Sequence, residues 1–107
     1  MKAICIIPAK HFSKRLPNKN IKKILGIPSI AHVISNAIKS KCFKEVFVST
    51  DSIKIKNISE KFGARVPYLR SKKLSGNYTP VGDVIIDAIK KLKIRYDFEI
   101  VCFMYPT

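Results

Sequence analysis

Ala3-Ile4-Cys5-Ile6-Ile7-Pro8 opens the chain as an unbroken run of apolar and β-favouring residues. With no polar residue at alternate positions, it predicts a strand buried on both faces, as in parallel sheets covered by helices. A second run of this kind spans 45–49 around Val46-Phe47-Val48, a short one spans 65–69, and a last one spans 99–105. Helical spacing fills the gaps between them. From Pro28 to about Ser40 the inward positions are Ile30, Val33, Ile34, Ala37 and Ile38. Thr50, Asp51 or Ser52 caps the next helix, with Ile55, Ile58 and Phe62 as its apolar face and Gly63 as its stop. Thr79 caps a third, opened by Pro80 and buried through Val81, Val84, Ile85, Ala88, Ile89 and Leu92. Strand and helix alternate, so the expected fold is α/β, a Rossmann-like three-layer sandwich with a mostly parallel sheet.

The length of 107 residues bounds this to one domain over 1–107 with one modest core. A hydrophobic share of 47% with 26% charged residues excludes a disordered chain, and no apolar run reaches the roughly 18 residues of a membrane span. The opening apolar stretch is too brief for a signal-peptide core and is followed by a basic segment in place of a small-residue cleavage site, so a cytoplasmic location is expected. Cys5, Cys42 and Cys102 have no metal-like spacing, and two of them sit in apolar runs, which argues for buried hydrophobes over redox or metal chemistry.

The net charge of +14 has a bland component, lysines spread over solvated helix faces. One asymmetry survives that discount. Residues 1–44 contain no Asp or Glu, and their cations crowd into Lys10, Lys14, Arg15, Lys19, Lys22 and Lys23. A field of one sign beside one loop suits an anionic ligand.

Chemistry concentrates in Pro8-Ala9-Lys10-His11-Phe12-Ser13-Lys14-Arg15-Leu16-Pro17-Asn18-Lys19-Asn20, which leaves the first strand and enters a long turn. Ser13 and Asn20 supply polar groups, Lys10, Lys14, Arg15 and Lys19 supply charge, and Pro17 stiffens the loop. A triphosphate needs donors and cations together. The plain alternative is a solvated basic loop. No G-x-x-x-x-G-K-[ST] is present, so this is not a Walker loop.

This stretch resembles the P-A-R-G-G-S-K-R-[IL]-P-x-K-N signature of the acylneuraminate cytidylyltransferase family, most similar to its pseudaminic-type branch. Five further blocks follow in family order: Leu25-Gly26-Ile27-Pro28, Phe47-Val48-Ser49-Thr50-Asp51, Phe62 to Arg70, Leu74-Ser75 with Tyr78-Thr79-Pro80, and Cys102 to Thr107. The resemblance implies a nucleotide-diphospho-sugar transferase type of fold and transfer of CMP from CTP to an acidic nine-carbon sugar, with pyrophosphate released. It places Ala9, Ser13, Lys14, Lys19 and Asn20 along the ribose and phosphates, with Lys10 where the family has Arg. Lys14 and Lys19 would act catalytically, by charge stabilisation. Arg70 and Thr79 resemble the residues flanking the cytosine, against plain readings as a surface arginine and a helix cap. Tyr105 stands where pseudaminic-type proteins have Tyr and sialic-acid-type proteins have Gln.

The departures weaken the grip on phosphate. Lys10 keeps the charge and loses the planar fork of arginine. His11 and Phe12 replace two glycines whose freedom lets backbone approach phosphate closely. A weaker CTP affinity than that of a full signature is expected.

The resemblance also implies Mg²⁺, with its main carboxylate ligands, the sugar site and the dimer contacts in a second half of the family's length. No metal ligand is assigned within residues 1–107; Asp51 is read as a helix cap, and Asp83 and Asp87 as a solvated helix face. The expectation is therefore a truncated domain whose complete catalysis is in question, with an exposed apolar edge that favours self-association as a homodimer. Its partners would be CTP and an acidic sugar, with no membrane. The rival classes are a small basic nucleic-acid-binding module, which lacks interleaved aromatics and any known motif, and a nonfunctional relic.

Overall fold

A computed structural model of the chain describes residues 2–10, 23–24, 26–76 and 79–106. Strand β1 (Ala3–Pro8) lies at the centre of a three-stranded parallel sheet, between β4 (Glu45–Ser49) and β5 (Ile100–Phe103). The continuous apolar character of β1 follows from that place, because its two faces meet two different layers. Cys5, Ile7 and Ala9 pack with Val46 and Val48 against Ile30, Ile34 and Ala37 of helix α1 (Ser29–Lys39) and Ile55 of α2 (Ile53–Lys61). Ile4 and Ile6 pack with Phe47 against Ala88 and Leu92 of α3 (Val81–Lys93) and against Phe98. The fold is α/β with helices on both faces, as expected.

Two short strands, β2 (Lys23–Ile24) and β3 (Ile27–Pro28), pair antiparallel before α1. Their hairpin is absent from the sequence reading, which has only a long turn after the first strand. Gly26 turns it with φ 79, a conformation that favours glycine.

Several boundaries differ from expectation. The strand expected over 65–69 reduces to a single parallel bridge from Arg65 to Phe47. Arg65 N–H donates to Val46 O at 2.9 Å, and a later tie runs from Arg70 N–H to Thr50 O at 2.7 Å. Between those ties the segment takes five steps, from 65 to 70, while β4 and its extension take four, from 46 to 50. The register slips, and Pro67 has no N–H for a ladder. Ser52, rather than Thr50 or Asp51, caps α2, its hydroxyl accepting from Ile55 N–H at 3.2 Å. Gly63 ends that helix with φ 102, as expected.

Strand β5 stops at Phe103, two residues short of the expected end. Met104 N–H still donates to Ile6 O at 3.1 Å. In a parallel ladder the next donor to β5 would be the amide of residue 8, and Pro8 has none. On the other side the ladder continues, with Ala9 N–H donating to Ser49 O at 2.8 Å. Pro8 thus lets β5 part from β1 and opens the sheet at its carboxyl edge. That is the crevice where ligands bind in open α/β sheets, at the point where the strand order reverses.

Among the described residues no helix is long and apolar enough to cross a membrane. The three thiols differ sharply in environment: Cys5 is buried, Cys102 half-buried and Cys42 exposed. Burial, with Cys102 beside it, pushes the Cys5 thiol up to about 12, so it stays protonated at neutral and mildly alkaline pH. With a thiol-reactive chromophore at pH 8, Cys42 is expected to react first and Cys5 only on denaturation. Fast release of three equivalents from the native protein would contradict this.

Candidate functional site

The opening at the carboxyl edge is a cleft of about 160 Å³ lined by Pro8, Lys10, Arg70, Thr79, Tyr105 and Pro106, with Leu74, Gly76, Val81 and Val84 completing its wall. Four predicted site residues, Lys10, Arg70, Thr79 and Tyr105, therefore converge from four separate segments. The volume is below the several hundred Å³ that enclose a whole drug-sized ligand, so a base-sized group fits inside and anything attached to it lies outside.

Arg70 arrives by way of its backbone. The segment that starts at the Arg65 bridge follows β4 past its end, and the tie to Thr50 O fixes Arg70 beyond the last strand residue. Its side chain turns inward and is only 6% exposed. The surface-arginine alternative is thereby excluded. Nε donates to Ser75 Oγ at 3.3 Å, and Nη1 makes a long contact of 3.5 Å with Ser49 Oγ. Burial lowers the guanidinium's affinity for its proton, while Asp51, Tyr68 and Asp87 act the other way. An arginine remains charged under such a shift. The result is a preset cation with donors facing a half-apolar hollow.

Thr79 is not the cap of α3, since Pro80 occupies that position without a side-chain cap bond. Its hydroxyl instead accepts from Gly76 N–H at 3.1 Å and makes a long 3.5 Å contact to Lys73 O. Thr79 thus closes the loop that follows the short 3₁₀ turn Lys72–Leu74 and holds it against the cleft. Tyr105 stands at the lip, 63% exposed, its ring edge-on to Phe103 at 5.9 Å.

Ala9 lies between the lining residues Pro8 and Lys10. Its methyl belongs to the core beneath α1, and its amide is committed to Ser49 O, so it shapes the strand end without lining the cleft. Ser13, Lys14, Lys19 and Asn20 lie outside the described residues.

Two residues passed over in the sequence lie on the elements that bring Val84 and Arg70 to the cleft. Asp87 is half-buried, its Oδ2 enclosed, and is not part of a solvated face; Asp83, one turn earlier, is exposed. Tyr68 has its hydroxyl buried as well. Asp87 follows Val84 by three positions, and Tyr68 precedes Arg70 by two. That juxtaposition was the available signal. Among the described residues no three His, Cys, Asp or Glu side chains come together as a metal site, so the described wall of the cleft does not by itself fit a divalent cation.

Comparison with known proteins gives a consistent picture. The family model described as cytidylyltransferase matches residues 4–106. The pseudaminic acid cytidylyltransferase of Campylobacter jejuni is 42% identical over 108 residues, which covers 100% of this chain and 47% of that protein. The CMP-N,N'-diacetyllegionaminic acid synthase of Legionella pneumophila is 40% identical, with the same two coverages. A solved structure of CMP:2-keto-3-deoxy-manno-octonic acid synthetase complexed with CTP superposes with a TM-score of 0.81 at 26% identity, over 99% of this chain and 40% of that one. The chain spans about half the length of the curated relatives it matches.

Proposed function

This chain belongs to the cytidylyltransferase family, and on that premise we propose that its carboxyl-edge cleft receives the cytosine of CTP, so that the chain supplies the nucleotide-binding half of CMP transfer to an acidic sugar. The observation that carries this reading is the convergence of Lys10, Arg70, Thr79 and Tyr105 on one base-sized hollow. Cytosine offers two adjacent acceptors, its ring carbonyl and the neighbouring ring nitrogen, where uracil offers an acceptor and a donor. A buried guanidinium has donors only, in a fixed plane, and so prefers the first pattern. Val81 and Val84 give the ring an apolar wall, and Lys10, which lines the same cleft, is the cation we assign to the phosphates.

Transfer then requires the sugar's anomeric hydroxyl to attack the α-phosphorus while pyrophosphate departs. The chain's part is to hold the triphosphate and offset its developing charge, which falls to Lys10 and to the lysines of the 9–27 segment, Lys14 and Lys19 above all. Mg²⁺ would share that charge when bound. Tyr105, exposed at the lip of the cleft, is the residue we assign to meet the sugar. The substrate class we favour is the pseudaminic type, on that tyrosine and on the likeness to the C. jejuni protein. A cytoplasmic setting and a homodimer complete the proposal.

The test is calorimetry with CTP, UTP and GTP, followed by a pyrophosphate-release assay with pseudaminic acid and Mg²⁺. Cytidine-selective binding supports the reading. Equal binding of all three nucleotides refutes it.

A further inference from the structure

Arg70 can read a ligand only if its guanidinium is aimed, and the hydrogen bonds around it show what aims it. Ser71-Lys72-Lys73-Leu74-Ser75 turns back on itself through the 3₁₀ turn Lys72–Leu74, with Leu74 N–H donating to Ser71 O at 3.1 Å. The turn brings Ser75 beside Arg70, five residues earlier in the chain. Ser75 Oγ donates to Ser71 O at 2.7 Å, a short bond that commits the hydroxyl's one hydrogen. It can then serve Arg70 only as an acceptor, and Arg70 Nε donates to it at 3.3 Å. Arg70 Nη1 makes a second, longer contact of 3.5 Å to Ser49 Oγ at the end of β4. Ser75 is half-buried and does not line the cleft, although Leu74 and Gly76 on either side of it do.

We propose that Ser75 is a positioning residue for Arg70: by holding Nε it turns the other end of the guanidinium, Nη1 and Nη2, to the ligand. The assignment rests on the reading of Arg70 as the cytosine contact. A guanidinium carries five N–H groups in one plane. Ser75 takes one and Ser49 another, so the donors left for the two adjacent acceptors of the base all belong to the Nη atoms. Charge and aim come from different groups. Burial works against the charge on Arg70, and Asp51, then Tyr68 and Asp87, support it. Support of that kind acts through space and fixes no rotamer, whereas a bond to Nε sets the plane of the fork.

The test follows the Arg70 Nε–H signal by NMR hydrogen exchange in the full chain, and CTP binding by calorimetry. In Ser75→Ala that proton is expected to exchange about fivefold faster, and CTP affinity to fall by about three- to tenfold. Ser75→Thr keeps the hydroxyl and should restore both to within about twofold. In an Arg70→Met background, Ser75→Ala should alter CTP affinity by less than about twofold, because a residue that acts through Arg70 has nothing left to act on. The Arg70 backbone N–H, tied to Thr50 O at 2.7 Å, should keep its exchange rate and serves as the control for intact folding. If Ser75→Ala fails that control, Ser75→Cys, a weak acceptor of similar shape, takes its place under the same criteria. Unchanged Nε–H exchange overturns the proposal. So does an equal loss of affinity in both backgrounds, which is what a serine that merely closes the 71–75 turn would give. If the exchange and rescue results hold while the parent chain shows no preference for CTP over UTP, the positioning role stands and the functional reading falls.

Discussion

Replacing Arg70 with Met is expected to weaken CTP binding by at least about a hundredfold while leaving the melting temperature unchanged or raised. The first half follows from two charge-assisted hydrogen bonds to the base, each contributing about 1.5–3 kcal/mol, against a factor of ten for every 1.4 kcal/mol. The second half follows from burial. Arg70 is 6% exposed and its hydrogen bonds go to hydroxyls, and burial outweighs the support its charge draws from Asp51, Tyr68 and Asp87. An apolar side chain of similar length removes that cost, and such exchanges are often neutral or stabilising. Asp87 would keep Lys91 as its partner. A residue that serves the ligand at the fold's expense has this signature; a structural arginine would lower both quantities. Calorimetry beside thermal denaturation separates the two.

Phe47→Ala is expected to remove a large share of the domain's stability. Phe47 is 2% exposed on β4, and its ring meets Tyr96 edge-on at 4.8 Å. It joins Ile4 and Ile6 to Ala88, Leu92 and Phe98, and its backbone bridges to Arg65. Truncating a buried phenylalanine costs about 3–5 kcal/mol, out of a total of roughly 5–15 kcal/mol for a domain of ordinary stability. At roughly 4–8 °C per kcal/mol, the midpoint should fall by well over 10 °C. Circular dichroism during heating measures it, and a shift below about 5 °C would mean that this layer of the core is not what holds the sheet to α3.

Much of this was readable from the chain, for stated reasons. The unbroken run Ala3–Pro8 declares a central strand because only a two-sided burial tolerates it, and β4 was bounded correctly on the same logic. Helix α1 and the Gly63 stop follow from spacing and from φ. What failed were features decided by neighbours. The end of β5 depends on a missing N–H in another strand, and the 65–69 segment loses its ladder to Pro67. Thr79 looked like a cap because Thr before Pro usually is one, yet its hydroxyl serves the preceding loop. The convergence of Lys10, Arg70, Thr79 and Tyr105 was legible through family-like blocks and not through spacing, since the four are far apart in sequence. Asp87 was misread because an Asp one turn from the exposed Asp83 looks solvated, whereas its Oδ2 is buried.

The central claim is that the hollow between the ends of β1 and β5 selects a cytidine nucleotide. An amide-resolved NMR titration with CTP, repeated with UTP and with inorganic tripolyphosphate, tests it most directly. The account predicts that CTP alone moves Arg70, Thr79 and Tyr105, together with Lys14, Lys19 and Asn20, at one shared affinity. Identical shifts with all three ligands, confined to the lysines, would contradict it.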